Sequence, residues 1–259
     1  MDNVNKTLYI PLYGKAFVSR RGILLEDKKA EEIWDAEGFP LRGKAKSKWL
    51  AYNMGMRSAV FDRWTREQLQ RYPDAVVLHA GCGMDSRCIR IGSRQRWFDV
   101  DFPEVITERK RYFAETETYH MVASDIRDTD WLSAIPAGTP AIIVLEGISM
   151  YLKLEELKKV LRQWKDHFGQ VSILMDSYTV FAAKATKYKN PINEVGVTQV
   201  YGFDDPHELE VGTGITFVQE HSLTPDWLID QLPKREQGFF RRLFAGKMAK
   251  RIYRLYEYR

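Results

Sequence analysis

Ala75-Val76-Val77-Leu78-His79-Ala80-Gly81-Cys82-Gly83-Met84-Asp85 is a short apolar run bounded upstream by Pro73 and halted by two glycines. A run of this length between turn signals reads as a strand buried on both faces. Four more follow. Arg96-Trp97-Phe98-Asp99-Val100-Asp101 is stopped by Pro103, residues 119–124 end at Asp125, residues 141–145 end at Glu146-Gly147, and residues 171–175 end at Asp176. Helical patterns over 104–117 and 154–168 separate them. Strands alternating with helices imply an α/β fold whose mostly parallel sheet carries helices on both faces.

The two ends of the chain break this rhythm. The first seventy residues read as helical, with periodicity over 24–34 and 52–72 and a polar stretch holding Lys44, Lys46 and Lys48 between them, read as a loop or lid. Near the other end, residues 214–220 form a sixth strand candidate. Residues 251–258 alternate charged and apolar side chains, which predicts a half-buried strand with no helix after it. Such a last strand fits one antiparallel strand inserted near the sheet edge, the arrangement of Rossmann-like methyltransferases.

Composition sets the bounds. With 259 residues and no repeat or linker-like tract, the chain is expected to be one domain: residues 1–72 a helical lid and cofactor clamp, residues 73–259 the core, with a cap insertion near 178–210. The net charge of +4 does not mark a polyanion binder, so no nucleic acid is expected. Basic residues crowd residues 233–259, best read as a solvated outer face. Cys82 and Cys88 are too few for a disulfide framework or a zinc site, and the five histidines lack ligand spacing, so no metal is expected. No run approaches the ~20 apolar residues of a membrane span, and the N-terminus lacks a signal-peptide pattern; the expectation is a cytoplasmic protein with no membrane partner.

Ligands of open parallel sheets bind beyond the carboxyl ends of the strands. Gly81 and Gly83 there let the backbone turn sharply and approach a ligand. Asp101, after the second strand, is placed to accept hydrogen bonds from two ribose hydroxyls, with Asp99 as its competitor. Asp125, after the third, offers an acceptor for an adenine amino group or a helix cap. Glu146 follows the fourth. Acidic residues at successive strand ends beside a glycine turn point to a nucleoside site.

Residues 76–87, from Val76 to Arg87, resemble the first motif of the leucine carboxyl methyltransferase family, which includes the tetracenomycin-type polyketide O-methyltransferases. Residues 98–106 resemble its second motif, Ser124-Asp125-Ile126-Arg127-Asp128 with Trp131-Leu132 its third, and Glu146-Gly147-Ile148-Ser149-Met150-Tyr151-Leu152 its fourth. The likeness runs from about Thr7 to the end of the chain. It implies a single S-adenosylmethionine-dependent O-methyltransferase domain. By matching motif, Gly81 and Gly83 would approach the methionine part and ribose, Asp101 would hold the ribose hydroxyls, and Asp125 and the Ile126 backbone would read the adenine. Glu146 would lie beside the ammonium or sulfonium, and Arg57, with Lys15 as a second basic position, would clamp the cofactor carboxylate. His79 departs from the pattern, where an apolar residue or glycine is usual.

The acceptor is expected to be a small-molecule carboxylate or hydroxyl. A carboxylate needs no base, whereas a hydroxyl does. His79, His120 and His207 are the candidate bases, each read first as a structural residue. Tyr151, Tyr178 and Tyr201 are candidates for the acceptor site, and Phe181, Tyr188 and Phe203 with Lys184, Lys187 and Lys189 suit an apolar pocket for an acidic substrate or an amphipathic cap. Three alternatives stand beside this reading: methylation of a protein C-terminus, a nicotinamide oxidoreductase, and a cofactor-binding module without catalysis. The oxidoreductase lacks the third glycine of its usual motif.

Overall fold

The computed structural model describes residues 8–39, 41, 43–185 and 199–259. Among the described residues seven strands form one sheet: β1 (Val76–Ala80), β2 (Trp97–Asp101), β3 (Tyr119–Ala123), β4 (Ala141–Leu145), β5 (Val171–Tyr178), β6 (Phe217–His221) and β7 (Tyr253–Tyr258). Their order is β3-β2-β1-β4-β5-β7-β6. β1 to β5 pair in parallel, and β7 runs antiparallel between β5 and β6. The chain winds outward from β1 to β3 and then restarts at β4 on the other side. The crevice beyond β1 and β4 is therefore the switch point where a ligand sits.

Alternation along the strands divides the core. Leu78, Ala80, Ile143, Leu145 and Ile173 face α6 (Leu154–Phe168), while Val77, Ile142, Val144 and Leu174 face α3 (Lys48–Arg71). On α6, the buried Leu157, Val160, Leu161, Trp164 and Phe168 recur at helical spacing, so one stripe meets the sheet. On α3, Met56, Val60, Phe61 and Trp64 do the same from the opposite face. Ahead of α3 lie α1 (Tyr9–Ser19) and α2 (Lys28–Glu37); the remaining short helices are α4 (Arg87–Ile91), α5 (Pro103–Arg109), α7 (Val180–Ala185), α8 (Asp226–Ile229), α9 (Lys234–Phe244) and α10 (Gly246–Lys250).

Several element boundaries differ from those expected. The helix placed at 24–34 begins at Lys28, because Leu24 has φ +64 and the Asp27 side chain caps the Ala30 amide at 2.9 Å. A separate helix, α1, precedes it. It tolerates Pro11 because first-turn amides have no intrahelical partner anyway. Lys44 and Lys46 lie in a 3₁₀ turn, Gly43–Lys46, and Lys48 already belongs to α3, which starts four residues before the expected 52 under a Ser47 cap. The helix expected over 104–117 stops at Arg109, whose side chain turns into the core while Phe113 is buried behind it. Strand six starts at Phe217, after Gly214 with φ +74. Asp176 lies within β5 rather than at its end. β7 is not half-buried: flanked on both edges, its residues from Leu255 onward are all buried.

Candidate functional site

Gly81 and Gly83 follow β1 with φ +67 and +51, the left-handed region that favours glycine. A Cβ on Gly81 would stand 2.2 Å from Ile148 Cδ1. The turn is pinned from both sides. The Gly83 amide donates to Asp101 Oδ2 at 2.7 Å, and Arg109 Nη1 donates to the Gly83 carbonyl at 2.9 Å. Asp101 Oδ1 accepts from the Phe102 amide at 2.8 Å. Among the described residues each carboxylate oxygen accepts one hydrogen bond, which leaves it a second lone pair for a ligand. Burial pushes the Asp101 pKa up, against the two amides that favour its charged form.

Asp99, two residues earlier, is consumed by the core. It is fully buried, pairs with Arg109, and accepts from Tyr119 Oη and Trp97 Nε1, both at 2.7 Å. His79 Nδ1 lies 3.3 Å from its Oδ1. The two aspartates share a sheet face, but only Asp101 reaches the cavity.

Behind the turn lies a buried ionic network. Arg57 of α3 donates from Nε to Glu146 at 2.9 Å and from Nη1 to Asp176 at 3.1 Å. Arg87 reaches Asp62 from Nε at 2.7 Å and Glu146 from Nη2 at 2.5 Å. Lys15 of α1 pairs with Asp85 at 3.0 Å, and Arg90 joins Asp27, Asp62 and Asp85. Burial alone would raise Glu146, but the Arg87 and Arg57 guanidiniums outweigh it and bring its pKa down to about 2. Asp85 is held well below the usual range in the same way by Arg87, Arg90 and Lys15. Within this network the cations Lys15, Arg57, Arg87 and Arg90 face the carboxylates Asp27, Asp62, Asp85, Glu146 and Asp176. With four cations to five carboxylates, and burial raising the pKa of Asp176, the network is close to neutral, and its Lys15, Arg57, Asp85 and Glu146 form the floor of the site.

Above this floor opens a cavity of about 540 Å³. Its polar lining is Asp85, Asp101, Glu146, Lys15 and Arg57 with the Gly81–Gly83 turn and Gly147. Much of the rest is apolar or aromatic, including Leu50, Met54, Met150, Tyr151, Tyr178 and Phe181.

The fold thus brings Lys15, Arg57, Gly81, Gly83, Asp101, Glu146, Tyr151 and Tyr178 to one cavity. Asp125, Ile126 and Tyr201 are not among its lining residues. Asp125 is tied to Arg127 at 2.5 Å, Ile126 is buried in the main core, and the Tyr201 amide donates to the Met150 carbonyl at 2.7 Å. Phe102 and Val105, at the start of α5, are among the lining residues instead. Of the candidate bases, His79 lines the cavity but sits between Arg87 and Asp99, His120 stacks on Phe98, and His207 is exposed and bonded to Glu210. Lys187, Tyr188 and Lys189 lie outside the described residues. Among the described residues no group of three or more His, Cys, Asp or Glu is arranged to hold a metal, and no helix is long and apolar enough to cross a membrane. Sequence reasoning missed Arg87, Arg109, Asp176 and Tyr253. Arg87 stands in the first motif, but nothing in its spacing shows that it turns inward.

The sequence profile of the leucine carboxyl methyltransferase family matches residues 3–165. The tetracenomycin polyketide synthesis O-methyltransferase TcmP of Streptomyces glaucescens is 30% identical over 241 residues, covering 90% of this chain and 88% of that protein. The S-adenosyl-L-methionine-dependent methyltransferase dpfgK of Gibberella zeae is 29% identical over 178 residues, covering 60% of this chain and 57% of that one. Among solved structures, a candidate methyltransferase of Thermobifida fusca superimposes with a TM-score of 0.57 at 15% identity, covering 88% of this chain and 92% of that one. At that identity the likeness speaks for the fold alone.

Proposed function

Since the chain belongs to the leucine carboxyl methyltransferase family and is an S-adenosylmethionine-dependent methyltransferase, we propose that its acceptor is a carboxylate on a small, largely apolar molecule. The observation that carries this is the lining of the cavity, which sets a few polar groups, Lys15, Arg57, Asp85, Asp101 and Glu146, among apolar and aromatic side chains such as Tyr151, Tyr178 and Phe181.

The polar groups fit the cofactor. Asp101 is the acceptor for the ribose hydroxyls, Glu146 suits the cationic methionine part, and Arg57 and Lys15 serve its carboxylate. Among the described residues, Arg57 Nη2 makes no hydrogen bond, which leaves a donor for that carboxylate. When bound, the cofactor supplies an electrophilic methyl carried on a sulfonium. The protein's part is positioning, and well-oriented groups reach effective molarities of roughly 10⁵ M or more. Of residues 1–72, read as a lid and clamp, Leu8, Ile10, Leu12 and Lys15 line the cavity, which supports that reading.

The carboxylate is favoured over a hydroxyl by the state of the lining groups. Asp85 and Glu146 are committed to cations, Asp101 to backbone amides and the ribose, and His79 to its buried neighbours. Burial raises the phenols of Tyr178 and Tyr253, so neither offers a phenolate base. An acceptor that arrives ionised needs none. The relative TcmP carries polyketide synthesis in its name, which accords with a small acceptor.

The test is methyl transfer to a panel of apolar aryl carboxylic acids, each matched to a phenol of the same skeleton, read by mass spectrometry. Methyl esters from acids and no ethers from phenols are expected. Ethers alone would remove the carboxylate assignment.

A further inference from the structure

Asp176 and Tyr253 lie beyond residue 165, where the match to the family profile ends. They come from β5 and from the reversed strand β7, and they meet Arg57 from α3. The Asp176 carboxylate is fully buried and is the hub of the contact. Its Oδ1 accepts from the Gly147 amide at 2.7 Å. Its Oδ2 accepts from Tyr253 Oη at 2.5 Å and from Arg57 Nη1 at 3.1 Å. Arg57 Nη1 also donates to Tyr253 Oη at 2.8 Å, closing a triangle. The Tyr253 ring rests edge-on against Tyr178 with centroids 5.1 Å apart. Gly147 completes the seat: with φ +76, it would place a Cβ 3.4 Å from Arg57 Nη1.

We propose that Tyr253 and Asp176 are positioning residues that hold the Arg57 guanidinium in the orientation that receives the cofactor's amino-acid carboxylate. An arginine side chain has many rotamers, and fixing its fork before binding removes an ordering cost from the binding step. Glu146 grips Nε and the Tyr253–Asp176 pair grips Nη1, so the direction of Nη2 is set from two sides. The reversed strand thereby carries part of the cofactor site, which gives β7 a task besides completing the sheet. This rests on the assignment of Arg57 as the carboxylate clamp.

The experiment is calorimetric titration of wild type, Tyr253→Phe and Asp176→Asn with two ligands: S-adenosylhomocysteine, which has the carboxylate, and 5′-methylthioadenosine, which lacks it. Thermal melts accompany each variant. Tyr253→Phe keeps the ring packing on Tyr178 and removes only the hydroxyl. The expected result is a loss on the order of tenfold for S-adenosylhomocysteine, with the affinity for 5′-methylthioadenosine unchanged. Equal losses for both ligands would show a merely structural role and overturn the proposal, as would no loss for either. Wild type binding both ligands equally, or neither, would remove the clamp reading first and the proposal with it, and is told apart by needing no variant.

Discussion

Asp99 and Asp101 are two residues apart on one strand, and the fold gives them opposite duties. Asp101 is anchored by two amides at the rim of the cavity, while Asp99 is locked to Arg109, Tyr119 and Trp97 beneath it. The Asp101→Ala variant should therefore bind S-adenosylmethionine more weakly by about 1–3 kcal/mol and remain folded. Asp99→Ala should instead strand a buried guanidinium, costing about 3–5 kcal/mol of stability. Calorimetric titration and urea melts on both variants separate the effects. A stable Asp99→Ala protein that has lost cofactor affinity would reverse the assignment. The position of Asp101 was legible because it ends an apolar run before Pro103. That Asp99 is spent inside was not, because Arg109 reaches it from a helix whose inward turn leaves no mark in the spacing.

At the scale of elements, apolar runs of five residues between turn signals announce buried strands, and β1, β2 and β4 are readable that way. Irregular ends are harder. The length of β5 is set by its pairing with β7, from Ile173 opposite Tyr258 to Tyr178 opposite Tyr253, a partner nearly eighty residues away that no local pattern reveals. For the same reason Asp176 read as a strand end and its role at Arg57 was hidden. β7 also explains a buried acid. Burial pushes Glu257 up, but hydrogen bonds from His221 and Gln219 outweigh it, taking its pKa from the ordinary 4.5 to about 2. An acid depressed in the folded state adds stability above its unfolded pKa and loses it as the pH falls through the folded one. The β6–β7 pairing should thus weaken between about pH 4.5 and pH 2. Wild type should exceed Glu257→Gln in thermal stability near neutrality and converge with it toward pH 2. A difference that stays constant across that window would contradict the assignment. On the other face, Trp164 fills the α6 stripe with no exposure, and Trp164→Ala should cost about 3–5 kcal/mol in a urea melt. A loss under about 1 kcal/mol would show that α6 does not hold the sheet as described.

For the whole molecule, the switch point between β1 and β4 gathers residues from α1, α3, β1, β2, β5 and β7 and from the turn after β4 around one cavity, so cofactor binding and folding are linked. S-adenosylhomocysteine at about a hundred times its dissociation constant should add about 2.7 kcal/mol to stability. In a chain of this size that raises the melting temperature by about 5–10 °C, while NAD should leave it unchanged. A rise with NAD alone would favour an oxidoreductase. The most direct test of the central claim is transfer of a radiolabelled methyl group from S-adenosylmethionine into a cell lysate separated by molecular size. The account predicts label in the low-mass fraction, released as methanol by mild base as expected of a methyl ester. Label held in a protein band at a chain terminus, or low-mass label that resists base, would contradict it.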